Sequence, residues 1–255
     1  MPDQLETLAL RTRRIGRAYR FLAVCASTND EAARIGDPDG LVVVADAQTG
    51  GRGRLGRAWH SPPGANLHVS ILLRPAIAAH RVPPLTLLVG AVTAQVLQAT
   101  GARPQLKWPN DVLLATGSGH ARKVAGILTE MASERDRVRH VVVGIGLNVN
   151  TLSFPAALEA RATSLCAATG REHDRRALLV ALLEAFEPAY DRFCADGPAD
   201  AIAHWRSYGA LGQPCRIERD GTVVEGTAED IDPDGALVLR DGHGHIHRVV
   251  SGEIV

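Results

Sequence analysis

The segment Gly50-Gly51-Arg52-Gly53-Arg54-Leu55-Gly56-Arg57-Ala58-Trp59 combines two residue types with complementary chemistry. Glycine lets the backbone approach a ligand closely and present its N–H groups. Arginine supplies a permanent charge whose forked donors match carboxylate and phosphate. Trp59 adds a flat apolar face. Together they suit an anionic ligand held under a loop that closes over it. The segment contains no GxxxxGK[ST] loop, and Arg52 and Arg54 interrupt the glycines where a dinucleotide fingerprint would not. On these residues alone, a solvated surface loop or an RGG-like RNA-binding arm remains the plain alternative.

Three further segments carry reactive side chains. In Lys107-Trp108-Pro109-Asn110-Asp111, Pro109 forces Trp108 into an extended conformation, and Asn110 and Asp111 are turn residues. A tight hairpin is the plain reading, and a site built around Asp111 is the functional one. In Lys123-Val124-Ala125-Gly126-Ile127-Leu128, a lysine stands at the mouth of an apolar strand. It is either a snorkelling edge charge or a cation for catalysis. In Gly144-Ile145-Gly146-Leu147-Asn148-Val149-Asn150, the glycines permit close approach and Asn148 offers a hydrogen bond to a base or ribose. The alternative there is a glycine-bent strand with a polar cap. His243, His245 and His247 alternate along the chain in a turn-rich stretch, which reads as a solvated hairpin, and no metal site is expected.

The elements that must position these groups follow from periodicity and turn chemistry. Leu5, Leu8 and Ile15 among Arg11, Arg13, Arg14 and Arg17 predict a short amphipathic helix. Arg20–Ala26 predicts a strand, and Thr28 with Glu31 predicts a capping box that opens a helix. Leu41–Asp46 is a buried strand, Gln48–Gly64 a long loop and Asn66–Arg74 another strand. Leu85, Leu88, Val89, Val92 and Val96 keep helical spacing up to Gly101. Strands are predicted at Gln105–Leu114, Lys123–Ala132 and Val138–Val149, separated by Gly117-Ser118-Gly119 and Glu134-Arg135-Asp136. Helices dominate from about Ala156 to Ser207. Short strands around Cys215–Arg219, Thr222–Glu229, Ala236–Arg240 and Ile246–Val250, joined by turns such as Asp220-Gly221, predict a small SH3-like barrel. The expected fold class is α+β: a mixed sheet with helices over residues 1–208, then a β domain over 209–255.

Composition narrows the function classes. The 255 residues carry 28 basic and 28 acidic side chains, so a chain-wide attraction to nucleic acid is not expected. Aromatic residues make up 4% of the chain, too few for an obvious base-stacking platform. Four scattered cysteines, Cys25, Cys166, Cys194 and Cys215, argue against a disulfide framework and for a reducing, cytoplasmic setting. No apolar run is expected to span a membrane.

Taken in order, Ser27-Thr28-Asn29, Gln48 with GRGRLGRAW, KWPNDV, KVAGIL and GIGLNVN resemble the biotin–protein ligase family. The resemblance runs from about Val24 to Ser251-Gly252-Glu253-Ile254. It implies a class II synthetase-like catalytic domain, an SH3-like C-terminal domain, and an enzyme that makes biotinyl-5'-AMP from biotin and magnesium-ATP. The biotinyl group would then pass to a lysine of a biotin carboxyl carrier domain. It implies that Ser27, Thr28, Asn29 and Gln48 contact the biotin head. Arg52, Gly53 and Arg54 would meet the biotin carboxylate and the nucleotide phosphate, and Lys123 the reacting centre. Trp59 would cover the adenylate, Asn148 would lie near the adenine and Asp111 beside the reacting atoms. A lipoate–protein ligase is the nearest rival, but lipoate has no ureido ring to match the Ser27-Thr28-Asn29 cluster. About 20 residues precede the first core strand, so no specific DNA binding is expected. A monomer or a homodimer fits equally.

Overall fold

The computed structural model describes residues 5–116, 120–219 and 222–254. A seven-stranded sheet forms its centre, with strands β1 (Tyr19–Cys25), β2 (Val42–Gln48), β3 (Leu67–Leu73), β4 (Pro104–Lys107), β5 (Asp111–Ala115), β6 (Ala121–Glu134) and β7 (Arg137–Leu147) in the order β1-β2-β3-β7-β6-β5-β4. β1 and β2 are parallel, and every other neighbouring pair is antiparallel. The parallel pair needs a crossover, which helix α1 (Thr28–Ile35) provides.

The two faces of the sheet have different tasks. Leu67, Val69, Ile71 and Leu73 of β3, with Val143, Ile145 and Leu147 of β7, join the main core. That core also contains α2 (Pro84–Ala99) and α5 (Arg175–Asp196), through side chains such as Leu85, Val92, Leu182 and Phe186. α2 begins with Pro84, whose missing N–H is unneeded in a first turn. Side chains alternate along a strand, so His68 and Ser70 of β3 and Gly144 and Gly146 of β7 fall on the opposite face. There Ala32 of α1 packs with Leu41, Val43, Leu72 and Val142 in a second, smaller cluster. Short helices α3 (Ala156–Glu159) and α4 (Leu165–Thr169) follow β7, and α6 (Ala199–Arg206) follows α5.

The remaining strands β8 (Pro214–Arg219), β9 (Thr222–Ile231), β10 (Leu237–Arg240), β11 (Ile246–Val249) and β12 (Glu253–Ile254) form an antiparallel sheet in the order β11-β10-β9-β8-β12. The chain entering it lies along β4: the Leu106 N–H donates to Tyr208 O at 2.8 Å and the Ala210 N–H to Leu106 O at 3.0 Å. Trp108 Nε1 donates to Gly235 O at 3.0 Å, tying the two sheets together.

Several local expectations are corrected. Leu5–Ile15 is an irregular strap of turns and bends instead of a helix. The Glu187 carboxylate of α5 accepts from the backbone N–H groups of Arg13, Arg14 and Ile15 at 2.7, 2.8 and 2.9 Å, and these bonds replace helical ones. The N-cap of α1 is Ser27, one residue earlier than expected, with its Oγ accepting from the Asp30 N–H at 3.4 Å. The single strand expected over Gln105–Leu114 is two, β4 and β5, folded back at a cis Trp108–Pro109 bond. The turn segments Gly117-Ser118-Gly119 and Asp220-Gly221 lie outside the described residues. The stretch Ala79–Ala99 is long and apolar enough to span a membrane by length and composition, contrary to expectation, but 72% of its apolar window is buried inside the protein.

Candidate active site

On the face of the sheet shared with α1, a cavity opens over β2, β3, β7 and β6. Of the residues singled out in the sequence, Ser27, Thr28, Asn29, Gln48, Arg52, Gly53, Trp59 and Lys123 line it. Its floor is shaped by three glycines. A Cβ at Gly144 would lie 2.3 Å from Asn29 Oδ1, one at Gly146 would lie 2.4 Å from Trp59 Cε2, and one at Gly126 would lie 3.0 Å from Lys123 Cε. Side chains there would displace the groups that carry the chemistry.

The floor is organised in cross-strand rows. Ser70, Gly144 and Leu128 pair in one row, and His68, Gly146 and Gly126 in the next. Over the first row sits the N-terminus of α1, which forms a polar end. The Gln48 Oε1 accepts from the Thr28 N–H at 2.8 Å and from the Thr28 hydroxyl at 3.2 Å. The Ser70 hydroxyl donates to Asn29 Oδ1 at 2.6 Å and lies 2.8 Å from Thr28 Oγ1. Asn29 Nδ2 donates to Glu130 Oε2 at 2.6 Å. Hydroxyl, amide and carboxylate groups thus stand fixed side by side, able to donate to and accept from a neutral polar ring.

Over the second row the site becomes aromatic and cationic. Lys123 Nζ lies 2.5 Å from Asp111 Oδ1 and 5.5 Å from the centre of the Trp59 ring. The bulged β5–β6 register brings Asp111 beside Lys123, so the KWPND hairpin is also a positioning device. The strand around Lys123 is pinned from outside: its N–H donates to Arg161 O at 2.8 Å and its carbonyl accepts from the Thr163 N–H at 2.9 Å.

Two predicted arginines are held by protein partners. Arg52 grips both Asp30 oxygens at 2.6 and 2.5 Å and approaches Glu130 at 3.7 Å. Arg54 donates to the Gly252 carbonyl at 3.2 Å, linking the loop to the C-terminal sheet. Asn148 is not among the residues that line the cavity; it is 4% exposed, with its Nδ2 donating to Thr163 O at 3.1 Å. The base of the loop is clamped where Arg175 meets Asp46 at 2.7 Å and Asp46 accepts from the Gly64 N–H at 2.9 Å.

Ser70, Glu130 and His68 belong to the site without having been singled out in the sequence. The visible signal was two polar residues, His68 and Ser70, alternating inside the otherwise apolar run Leu67–Leu73. His68 is 1% exposed, and neither ring nitrogen has a hydrogen-bond partner among the described residues. Burial pushes its pKa down to about 4, Arg175 and His60 push in the same direction, and Asp46 opposes them. The ring is therefore neutral at pH 7. Trp59 Nε1 is likewise buried and without a hydrogen-bond partner among the described residues.

Two of the C-terminal histidines, His245 and His247, converge on one acid. The Asp241 carboxylate pairs with His245 Nδ1 at 3.2 Å and with His247 Nε2 at 2.7 Å. Among the described residues, no group of three or more His, Cys, Asp or Glu side chains stands ready to hold a metal ion. All four cysteines carry free thiols.

Residues 23–148 match the biotin/lipoate A/B protein ligase family, and residues 210–255 match the biotin protein ligase C terminal domain. This architecture, a helix-flanked mixed sheet with a β appendage, is shared by a solved structure titled biotin protein ligase from Aquifex aeolicus in complex with biotin and ATP. The TM-score is 0.81 at 28% identity, covering 94% of this chain and 98% of that one. A biotin--[acetyl-CoA-carboxylase] ligase of Paracoccus denitrificans is 37% identical, over 88% of this chain and 95% of the relative. The bifunctional ligase/repressor BirA of Bacillus spizizenii is 38% identical, over 96% of this chain and 76% of the relative. The chain belongs to the biotin protein ligases, enzymes of the biotin/lipoate A/B ligase family.

Proposed function

We propose that this cavity joins biotin to ATP and that the product acylates a lysine of a biotin carboxyl carrier domain. The observation that carries the reading is Lys123 Nζ, held 2.5 Å from Asp111 and over Trp59, one row from the polar N-terminus of α1. Biotin has a neutral ureido ring at one end and a carboxylate at the other. The Ser27-Thr28-Asn29-Gln48 group suits the first and the cation suits the second. Lipoate offers no such ring, so the polar end disfavours it.

In the first step a biotin carboxylate oxygen attacks the α-phosphorus of ATP. The bond from that phosphorus to the bridging oxygen breaks, and pyrophosphate leaves with its magnesium, which arrives as part of the nucleotide complex. Two anions must meet, and Lys123 offsets their repulsion and the charge that develops on the phosphoryl oxygens. Arg52 and Gly53 complete the anion-binding loop once Arg52 leaves Asp30, and Arg54 supports the loop from the C-terminal side. In the second step the carrier's neutral lysine amine attacks the acyl carbon of the mixed anhydride. The acyl–oxygen bond breaks, AMP leaves, and the amine proton is lost. Asp111 orients Lys123 and is the carboxylate that accepts that proton. Trp59 covers the adenylate against water. For Asn148, whose amide is committed to Thr163, a supporting role behind the nucleotide fits better than direct contact. Four free thiols suit a reducing cytoplasm.

The test is incubation of the protein with biotin, magnesium-ATP and a biotin carboxyl carrier domain, followed by mass spectrometry of the carrier. One biotinylated lysine is expected, preceded by pyrophosphate release that needs biotin but no carrier. Release supported by lipoate and not by biotin would overturn the assignment.

A further inference from the structure

Among the described residues, His68 is the one buried ionisable group on the cavity floor that the proposed chemistry leaves without a task. Its neighbours Leu67 and Val69 enter the main core, so strand alternation turns the imidazole to the cavity side, where it forms part of the lining. It is 1% exposed, and both ring nitrogens lack partners among the described residues. Buried polar groups in folded proteins are nearly always hydrogen-bonded, so an imidazole left bare in a ligand cavity marks a partner that arrives with the ligand.

Its position specifies which part of the ligand. Ser70, two residues along the same strand, binds the Thr28–Asn29 corner at the polar end. Two residues of strand span roughly 7 Å. His68 stands that far from the head-group end, in the row of Gly146 and Gly126, and a Cβ at Gly126 would lie 3.2 Å from Lys123 Nζ. The imidazole and the lysine therefore flank the two ends of one row, with the Trp59 ring lying over the glycines between them.

The geometry points to His68 as a ligand-binding residue that donates a ring N–H to the carboxyl–phosphoryl junction of the bound acyl-adenylate, across from Lys123. This inference rests on the function proposed above. A neutral imidazole brings one donor and one acceptor without adding charge, so it can fix the geometry of the junction while Lys123 supplies the charge. The titratable groups around it are Asp46 on β2, Arg175 on α5 and His60 in the loop.

The experiment follows the ring directly. Protein labelled with 15N-histidine is observed at neutral pH, with the His68 resonances assigned by their loss in His68→Gln. They are expected to move when biotin and magnesium-ATP are both present and biotinyl-adenylate accumulates. In parallel, His68→Phe should lower the rate constant of pyrophosphate release by about 10- to 100-fold, below or near the effect of an oxyanion-hole donor. Its Kd for biotin should stay within about threefold, because the head group provides most of that binding. His68→Asn or His68→Gln, which restores an N–H near one ring nitrogen, should recover most of the rate. A wild-type protein that makes adenylate while its His68 signals stay fixed would overturn the inference alone, as would a His68→Phe variant at the wild-type rate. Loss of rate with a lowered Tm and no recovery by either amide would assign His68 to the fold instead. A wild-type protein that makes no biotinyl-adenylate would overturn the underlying function, and the ring resonances keep the inference testable even if His68→Phe fails to fold.

Discussion

At the scale of single residues, the decisive group is Lys123. Its side chain is 32% exposed and that of Asp111 is 24% exposed, so the pair is only partly shielded from water. Removing the lysine therefore leaves an acid that solvent can still reach, and the fold should tolerate the loss. Lys123→Ala is expected to reduce biotin-dependent pyrophosphate release by two to three orders of magnitude, corresponding to about 3 kcal/mol at the transition state. Circular dichroism and Tm should stay close to wild type. Wild-type release by this variant would remove Lys123 from the chemistry.

At the scale of elements, two tethers invite measurement. The loop is held through Arg52 on Asp30, but the two side chains are 39% and 52% exposed, and such pairs contribute about 0–1 kcal/mol. An anionic ligand can draw Arg52 away at little cost. Asp30→Asn should release it beforehand, leaving Tm nearly unchanged and lowering the KM for ATP by up to about fivefold. An unchanged KM would mean that Arg52 is not the limiting contact.

The N-terminal strap depends on a different acid. Burial pushes the Glu187 carboxyl upward, but the N–H groups of Arg13, Ile15 and Arg14 and the charge of Arg13 outweigh it and hold the group below the usual carboxylate range. The strap's contribution is therefore complete above the unfolded carboxyl value of about 4.3, and it fades as pH falls through the lower folded value. Glu187→Gln should destabilise the protein by about 1–3 kcal/mol at pH 7. It should also lose less Tm than wild type between pH 7 and pH 3.5. Thermal melts at the two pH values measure both, and parallel curves would discount the carboxylate.

At the scale of the whole molecule, the loop bridges the two sheets. Its base is fixed by Asp46 and Arg175, and its middle reaches the Gly252 carbonyl through Arg54. Leu55 within it adopts a left-handed conformation, φ 56°, that is uncommon for a branched residue. A segment held at its ends and by exposed pairs between them is suited to open and close around a reactive intermediate. Amide hydrogen exchange over residues 46–64 should slow when biotin and ATP are bound, with little change in β3 or β7. Equal protection with and without ligands would rule out closure of the loop.

Much of this architecture is local and so was legible in the chain itself. Glycines and arginines in one short run, apolar strands bounded by turns, and the helical spacing from Leu85 to Val96 each follow from neighbours within a few residues. Charge balance and scattered cysteines likewise need no fold. The tertiary structure decided which partners the side chains take, because those lie far apart in sequence. Gln48 meets Thr28, Asn29 meets Glu130 at a separation of 101 residues, and the strap at Arg13 meets Glu187 at a separation of 174. That is why the expected N-terminal helix became a strap, why one expected strand became the β4–β5 hairpin that sets Asp111 against Lys123, and why Asn148 turned to Thr163. It is also why His68 surfaced only in three dimensions: strand alternation gives its face, but its isolation depends on every residue packed around it.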